Sequence, residues 1–257
     1  MTARTGAKVW FVGAGPGAAD LITLRGARAI AEADVVVWAS SLVHEDILAH
    51  ASPTAQIADS ASLPLEGVRE IFERAVAEGL VVARVHTGDP SLWGAVQEQR
   101  EICDALGLAH ETVPGVSAFS AVAARADREL TAPAISQSVI LTRLEGGRTP
   151  MPSAETVRGF AAHGTTMALY LSAARAERLQ AELLAGGYPP DTPCVVAHAV
   201  TWPQELLVRC ELSRLAAVCL EHDLYQHTLV LVGPALAADG ARSLLYHPGF
   251  AHGCRPA

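Results

Sequence analysis

Two glycine-rich turns, each directly after an apolar run, are the segments of this sequence best suited to hold a small ligand. The first has the sequence GAGPGA at residues 13–18, and the second has the sequence GDP at residues 88–90. Glycine leaves the backbone bare, so a ligand can lie directly against the main chain. Together the two turns predict a site for a nucleotide-like cofactor.

Ionisable side chains near these turns narrow the possible chemistry. Asp89 can face the cationic end or a hydroxyl of a ligand, or it can simply form an Asx turn before Pro90. His86 lies three residues earlier and is the histidine most worth testing, whereas histidines such as His44 more often make structural hydrogen bonds. Lys8 is the only lysine, so Schiff-base chemistry on a lysine is disfavoured. Any carboxylate ligand must then be bound by arginine, whose planar guanidinium can donate two parallel hydrogen bonds to one carboxylate.

The elements that carry these residues alternate between strand and helix patterns. Apolar, β-rich runs predict strands at residues 8–12, 34–38, 80–86, 138–144, 166–171, 194–198, 205–210 and 228–232. Helical patterns fall at residues 23–33, 65–78, 94–106, 117–126, 173–185 and 213–222. The alternation predicts parallel βα units, with an antiparallel pair around residues 202–203. A Val-Pro-Gly turn at residues 113–115 indicates two α/β domains with mixed sheets, 1–113 and 116–257, and an active-site cleft between them.

A dinucleotide site is one alternative for the first turn. Residues 13–18 fit the pattern G-x-G-x-x-G/A, and Asp34 lies about 20 residues further on. In that motif the helix begins among the glycines, but here the helical pattern begins only near Thr23, so a pyrophosphate would not face a helix N-terminus. This spacing counts against NAD, and a purely structural turn is the other alternative.

Composition excludes several classes of partner. The net charge is −8, and without a concentrated basic face this argues against a nucleic-acid partner. No apolar run approaches the roughly 20 residues that cross a bilayer, and residues 1–8 lack the layout of a secretion signal. Half of the 257 residues are hydrophobic, enough to bury a sizeable core. We therefore expect a protein of the cytoplasm with no membrane partner.

The cysteines are scattered without a CxxC pair, which is typical of reduced thiols. They are Cys103, Cys194, Cys210, Cys219 and Cys254. A zinc site is the alternative for the group Cys210, Cys219, His222 and His227, but their spacing lacks the paired-ligand pattern of structural zinc sites. The expectation is no metal and no disulfide framework.

Six segments, in order along the chain, resemble those of the tetrapyrrole methylases, which methylate porphyrinoid and corrinoid precursors. They are VGAGPGAADLITLRGARAI from residue 12, SSLV from 40, HTGDPSLWGA from 86, VPGVSAFSAVAA from 113, TRLEGGRTPMP from 142 and TLVLVGPAL from 228. The resemblance implies an S-adenosylmethionine-dependent C-methyltransferase that releases S-adenosylhomocysteine, with two α/β domains and a homodimeric assembly. The SSLV and TRLEGGRTPMP segments, with VTWP at residues 200–203, are most similar to the branch that methylates C-11 of precorrin-4 in cobalamin biosynthesis.

The resemblance also carries the family's cofactor contacts onto nine positions of this chain. They are Pro16, Gly88, Asp89, Leu92, Ser117, Ala118, Leu171, Val200 and Thr228. Small residues would admit the backbone to adenosine, and Leu92 and Leu171 would offer apolar walls to the base. Methyl transfer from a sulfonium to carbon needs an in-line approach, so positioning and removal of water can supply most of the catalysis. The sequence identifies no catalytic base.

A tetrapyrrole substrate carries many carboxylates, which require cationic or hydrogen-bonding groups. Arg143 and Arg148 flank a Glu-Gly-Gly stretch and are the leading candidates, with a solvated loop as the alternative. Ser40 and Ser41 are candidate donors, although loop serines more often satisfy the backbone. Trp93 is a candidate wall for the macrocycle or a buried core residue.

The identity of the substrate leaves alternatives open. They are cobalt-precorrin-4, another precorrin of the same family, or no substrate at all, in which case the chain is a non-catalytic nucleotide- or S-adenosylmethionine-binding protein. In the branch that methylates uroporphyrinogen, an Asp follows the aromatic residue that ends the second strand. Here Ala39 follows Trp38, and this departure counts against uroporphyrinogen.

Overall fold

The computed structural model describes residues 6–146, 150–239, 243 and 249–251. Contacts between residues divide the chain into two compact units. The first contains the chain up to Ala121 together with Thr201–Pro203, and the second contains Val122–Val200 and resumes at Gln204. The predicted domain limits, 1–113 and 116–257, stay a prediction.

A five-stranded parallel sheet forms the centre of the first unit. Its strands are β1 (Lys8–Gly13), β2 (Val35–Trp38), β3 (Gln56–Asp59), β4 (Val81–His86) and β5 (Ala109–Val113), and its helices are α1 (Leu24–Ala31), α2 (Leu65–Glu78) and α3 (Val96–Ala105). The strand order is β3-β2-β4-β1-β5, with every pair parallel. Parallel strands place all their carboxyl ends at one edge, where ligands bind in open α/β sheets.

Apolar side chains cover both faces of this sheet. On one face Phe11 of β1 meets Phe72 of α2 edge to face, with 6.4 Å between the ring centroids. On the other face Val12 packs in a cluster with Ile30 of α1. All four residues of β2 are buried, as expected for a strand covered on both sides. The predicted parallel βα units are therefore confirmed for this part of the chain.

Local signals determine where the helices of the first unit begin and end. The α2 helix follows Pro64 and ends at Gly79, whose φ of 69° is left-handed, so the predicted bounds of 65–78 are confirmed. The α1 helix begins at Leu24, where the hydroxyl of Thr23 accepts a hydrogen bond from the Gly26 N–H at 3.1 Å. A separate 3-10 turn precedes it, so the helix does not begin among the glycines as a dinucleotide motif requires.

The second unit contains a mixed sheet with the order β6-β7-β10-β8-β9. Its strands are β6 (Val139–Arg143), β7 (Thr166–Tyr170), β8 (Pro193–His198), β9 (Leu206–Glu211) and β10 (Thr228–Val232). Only β6 and β7 pair in parallel, and the other pairs are antiparallel, including the predicted pair on either side of residues 202–203. The helices are α4 (Ala118–Arg125), which begins in the first unit, α5 (Val157–Ala161), α6 (Ala176–Ala185) and α7 (Leu215–Glu221).

Among the described strands and α-helices, two strands and one helix were not predicted, and each lacks a strong apolar pattern. The β3 and β5 strands lie at the two edges of the first sheet and are largely exposed or half-buried, so their sequences do not form buried runs. The α5 helix has only five residues. The mixed pairing expected of both sheets is found in the second, whereas the first is parallel throughout. In the described ranges, none of the helices combines the length and apolar character needed to cross a bilayer.

Candidate functional site

Two glycine-rich turns pair directly at the carboxyl-terminal edge of the first sheet. They follow β1 and β4, which are neighbours in the sheet. The N–H of Gly88 donates to the carbonyl of Gly15 at 2.8 Å, and the N–H of Gly15 donates to the carbonyl of Gly88 at 3.2 Å. Gly15 itself has a φ of 82°, a conformation that favours glycine. The two segments singled out in the sequence therefore form one structure.

A third turn, after β5, packs against these two through bare backbone. A Cβ placed on Gly13 would lie 2.6 Å from the Cα of Gly115 and 2.7 Å from the carbonyl oxygen of Gly88. A Cβ on Gly115 would lie 2.1 Å from that same oxygen. These distances are shorter than any side chain can occupy, so glycine is required for the three turns to meet. The edge presents main chain without side chains, the surface that the sequence predicts for a ligand.

Asp89 ties the second turn to the third. Its Oδ2 accepts a hydrogen bond from the Gly115 N–H at 2.8 Å, and its Oδ1 accepts from the Ser91 N–H at 2.8 Å and from the Ser91 hydroxyl. Burial raises the pKa of the carboxyl, but the bonds from Ser91 and Gly115 outweigh it and hold the pKa below its ordinary value. The Asx turn considered in the sequence is therefore present, and a bond to a second loop accompanies it.

The first unit brings six of the nine predicted cofactor positions to this edge. They are Pro16, Gly88, Asp89, Leu92, Ser117 and Ala118. Leu92 is half-buried, and its N–H donates to the carbonyl of Asp89 at 3.2 Å. The carbonyl of Ser117 accepts the N–H of Ser120 at 3.1 Å, so Ser117 lies just before the first turn of α4 and Ala118 opens that helix.

The second unit brings the other three positions, Leu171, Val200 and Thr228, to one end of its sheet. In the pairing of β7 with β10, Val230 lies opposite Leu169, and continuing that register by two residues places Leu171 level with Thr228. Val200 is buried two residues beyond His198, the partner of Thr228 in β8. Leu171 is 69% exposed with a φ of 51°. An exposed leucine in a left-handed conformation is strained, and such strain concentrates at functional sites.

The substrate candidate Ser40 is held by Asp59. The Ser40 hydroxyl donates to Asp59 Oδ2 at 2.6 Å, and its N–H donates to Oδ1 at 3.1 Å. Asp59 lies directly opposite Trp38 in the pairing of β2 with β3. Because its proton is already engaged, the Ser40 hydroxyl offers a ligand only its acceptor lone pairs, whereas a donor was predicted. Ser41 is exposed next to it.

The other substrate candidates lie on loops of the two units. Trp93, in the first unit, is 43% exposed with a φ of 52°, so it is not the buried core residue that was the alternative interpretation. Arg143, in the second unit, ends β6 and donates to the carbonyl of Pro150 at 3.1 Å. Arg148 lies outside the described residues.

Two arginines that the sequence did not suggest lie beside the loop after β6. Arg175 donates to the carbonyl of Glu145 at 2.8 Å, and Arg178 bonds to the Glu145 carboxylate at 3.4 Å. Both lie near Gly146, which has a φ of 91°. The sequence could have identified them as a pair, because they are three residues apart at the start of a predicted helix, and residues at i and i+3 share a helix face.

His86 is buried rather than available at the edge. Its ring lies 6.0 Å from that of Phe11, and its Nε2 has no hydrogen-bond partner among the described residues. Burial, with a smaller contribution from the charge of Arg84, lowers the pKa of His86 to about 3. The imidazole is therefore neutral at pH 7. In this position it is a structural group and not an acid–base group.

The zinc alternative receives no support from the arrangement of its residues. Within residues 6–146 and 150–239 and the few others described, no three His, Cys, Asp or Glu side chains are grouped to hold a metal ion. Cys210 lies on β9 directly opposite Cys194 of β8. His227 precedes β10, where its ring contacts that of His198 at 6.5 Å between centroids. Cys210 and His227 thus belong to two separate contacts, each with a residue outside the proposed group.

Comparison with known proteins connects this arrangement to one family. Residues 8–216 match the model of the tetrapyrrole (corrin/porphyrin) methylases. The chain is 43% identical to the precorrin-4 C(11)-methyltransferase of Mycobacterium tuberculosis, over 90% of this chain and 92% of the relative. It is 42% identical to the cobalt-precorrin-4 C(11)-methyltransferase of Methanocaldococcus jannaschii, over 95% of each chain.

Solved structures show the same similarity. The crystal structure of a cobalt precorrin-4 methyltransferase, a cobalamin biosynthetic enzyme, superposes with a TM-score of 0.86 at 40% identity and covers 90% of this chain and 96% of its own. A uroporphyrin-III C-methyltransferase from Thermus thermophilus, complexed with S-adenosylhomocysteine, gives a TM-score of 0.72 at 26% identity and covers 88% and 92%.

Proposed function

Because the chain belongs to the tetrapyrrole (corrin/porphyrin) methylases, we propose that it transfers the methyl group of S-adenosylmethionine to C-11 of precorrin-4 in cobalamin biosynthesis. The observation that carries the proposal is identity of 42–43% along nine-tenths or more of the chain to relatives named for methylation at C-11. The uroporphyrinogen-III C-methyltransferase of Pseudomonas aeruginosa is 34% identical over 81% of this chain, which favours the C-11 reaction over that alternative.

The first unit fits an adenosyl sulfonium at the edge where its three turns meet. Gly13 and Gly115 let the three turns pack main chain against main chain, and Gly88 has a φ of 60°, so the edge offers a nucleoside backbone groups at positions where a side chain would not fit or would be strained. The deprotonated Asp89 fixes the turn that carries Ser117 and Ala118. In the second unit, the exposed side chain of Leu171 is the kind of apolar surface that an adenine ring contacts.

We assign cofactor binding to the nine positions already named: Pro16, Gly88, Asp89, Leu92, Ser117, Ala118, Leu171, Val200 and Thr228. When bound, S-adenosylmethionine supplies an electrophilic methyl group on sulfur. The residues of the chain then act by holding the methyl and the acceptor carbon in line and by excluding water, effects that can lower a barrier by about 7–11 kcal/mol. Neutral, buried His86 is not assigned a proton-transfer role.

Arginines account for the recognition of a substrate rich in carboxylates. Arg143 and Arg148 remain the proposed ligands from the sequence, and Arg175 and Arg178 extend the cationic group around Glu145. Ser41 is proposed as a donor, Ser40 as an acceptor and Trp93 as an exposed aromatic surface for the macrocycle. The guanidinium fork is suited to acetate and propionate groups. We further expect a homodimer of the cytoplasm.

Methylation by the purified protein tests the proposal. The protein is incubated with S-adenosylmethionine labelled in its methyl group and, in separate reactions, with precorrin-2, precorrin-3, precorrin-4 and cobalt-precorrin-4. Label at C-11 of precorrin-4 supports the proposal, and label only in the cobalt form identifies the alternative substrate. Cofactor binding without label in any acceptor would instead indicate a non-catalytic binding protein. Light scattering of the same sample gives the oligomeric state.

A further inference from the structure

We propose that Trp202 is a positioning residue for the cofactor: it holds the turn at residues 15–18 in the conformation that receives S-adenosylmethionine. The inference rests on the proposed function. Thr201–Pro203 lie some 80 residues beyond Ala121, yet they belong to the first unit by their contacts. The sequence placed this segment between two antiparallel strands and within the family resemblance but gave Trp202 no function, and the reaction itself assigns no role to it.

The indole of Trp202 satisfies a backbone group of the turn. Its Nε1–H donates to the carbonyl of Pro16 at 3.0 Å. A carbonyl in a turn has no strand partner, and a buried carbonyl without a hydrogen bond is costly. Pro16 is buried, so the indole both covers this residue and fixes the direction of its peptide group.

The neighbouring threonine holds the other side of the same turn. The hydroxyl of Thr201 accepts a hydrogen bond from the Ala18 N–H at 3.0 Å. The carbonyl of Pro16 and the N–H of Ala18 flank Gly17. The side chains of Trp202 and Thr201 therefore bind the peptide groups on both sides of this glycine. Thr201 does so with a φ of 68°, a strained conformation for a β-branched residue. Strain of this kind persists where the surrounding contacts require it.

Gly17 is glycine because the indole lies against it. A Cβ on Gly17 would lie 1.9 Å from Cδ1 and 2.2 Å from Nε1 of Trp202, and 3.0 Å from the hydroxyl of Thr201. The φ of Gly17 is not left-handed, so backbone conformation does not demand glycine here. The glycine that the sequence suggests for ligand approach is instead the place where a tryptophan docks.

The indole also contacts the segment that follows β2. The ring of His44 meets that of Trp202 edge to face, with 5.1 Å between centroids. His44 caps the next 3-10 turn, where its Nδ1 accepts from the Asp46 N–H at 3.3 Å. Ser40 and Ser41 lie on the same segment. Trp202 thus connects the cofactor turn with the segment that carries the proposed substrate contacts.

Calorimetric titration with S-adenosylhomocysteine tests the inference. Trp202→Phe retains an aromatic ring but loses the N–H, so we expect a Kd about 2- to 10-fold higher, the effect of one neutral hydrogen bond. In turnover with labelled S-adenosylmethionine, KM for the cofactor should rise while kcat at saturation stays within about twofold, as expected when uniform binding is lost. Trp10→Phe is the matched control, because Trp10 is a half-buried tryptophan of the same unit that lies within β1, with Lys8 Nζ 3.4 Å from its ring centroid.

A double-mutant cycle separates positioning from general stability. Gly17→Ala should weaken binding about tenfold or more while Trp202 is present, because the new Cβ displaces the indole. In a Trp202→Ala background the same Gly17→Ala change should alter Kd by no more than about twofold, since coupled residues are not additive. Thermal unfolding of each variant verifies that the protein is folded.

Three results decide the outcome. Raised Kd in Trp202→Phe, with the non-additive cycle, supports the positioning role. Unchanged Kd in Trp202→Phe, or an effect of Gly17→Ala that persists without the indole, overturns that role and leaves the proposed function intact. A wild-type protein with no affinity for S-adenosylhomocysteine overturns the proposed function and this inference together.

Discussion

The carboxylate of Asp89 accepts a hydrogen bond from the backbone N–H of Gly115, with 2.8 Å between Oδ2 and the nitrogen. This bond joins the turn after β4 to the turn after β5, whose next residues are proposed to contact the cofactor. A ligand bound at this edge therefore depends on Asp89 through the loop that it holds, even where the carboxylate does not touch the ligand.

Replacing Asp89 should weaken cofactor binding and leave the fold intact. Loss of a hydrogen bond to a charged group corresponds to about 1.5–3 kcal/mol, so Asp89→Ala is expected to raise the Kd for S-adenosylhomocysteine by about tenfold or more. Asp89→Asn keeps one acceptor oxygen, so its Kd should lie between those of the wild type and Asp89→Ala. Asp104→Ala is the control, because Asp104 bonds to His110 at 3.0 Å on the surface of the same unit. Equal affinity in all three variants would remove Asp89 from the site.

Close backbone packing predicts an order of stability for glycine variants. Gly115→Ala places a Cβ 2.1 Å from the carbonyl of Gly88, so it should lower the free energy of unfolding by about 3 kcal/mol or more, in the range of severe overpacking. Gly79→Ala meets nothing within 4 Å and only strains a φ of 69°, which costs about 1 kcal/mol. Urea unfolding measures both, and a Gly115 variant as stable as the Gly79 variant would contradict the packing.

The sequence predicted those helices and strands whose ends and burial are determined by their own residues. Pro64 and Gly79 bound α2 as predicted, because a proline start and a left-handed glycine end are local properties. The β3 and β5 strands were missed because an edge strand is half exposed and its residues, such as Gln56 and Glu111, carry no buried pattern. Sheet position is a tertiary property that periodicity does not encode.

The candidate site was predicted only in part, because the partners of its residues are also set by tertiary structure. Glycines mark a bare backbone, but the sequence does not distinguish Gly13, which packs against Gly115, from Gly17, which packs against Trp202. Those partners lie about a hundred and nearly two hundred residues away. Likewise Ser40 is a loop serine in the sequence, and only the pairing of β2 with β3 reveals that Asp59 accepts the hydrogen bond of its hydroxyl.

Burial of His86 predicts a loss of stability in acid. The folded protein holds the pKa of His86 at about 3, whereas an unfolded chain has a histidine pKa of about 6.5. The unfolded state therefore binds a proton first, and the free energy of unfolding falls as the pH drops from 6.5 toward 3. At pH 4.5 this contribution is about 2–3 kcal/mol.

The apolar variant His86→Leu should remove that contribution. Its loss of stability between pH 7 and 4.5 should be smaller than that of the wild type by about 2–3 kcal/mol, measured by urea unfolding at each pH. His163→Leu is the control, because His163 is exposed, and it should retain the wild-type dependence. If His86→Leu and the wild type lose stability in parallel, His86 does not remain neutral in the folded protein.

Cys210 should be the most readily alkylated of the described cysteines. It lies opposite Cys194, and a hydrogen bond from that thiol, which the carbonyl of Thr192 also accepts at 3.7 Å, lowers the pKa of Cys210, with help from the charge of Arg214. Burial raises the pKa values of Cys103 and Cys219 to about 11. Because the thiolate is the nucleophile, Cys210 should react with iodoacetamide at a lower pH than Cys103 or Cys219, as read from labelled tryptic peptides.

Variants at Cys194 test whether its hydrogen bond is the cause. Cys194→Ala removes the donor, so the pH at which Cys210 is half-alkylated in a fixed time should rise. Cys194→Ser keeps a donor at the same position of β8 and should preserve reactivity at the lower pH, since hydrogen bonding to the charged form favours that form. If alanine and serine at residue 194 leave the pH profile of Cys210 the same, the thiolate is stabilised by Arg214 and not by its cross-strand neighbour.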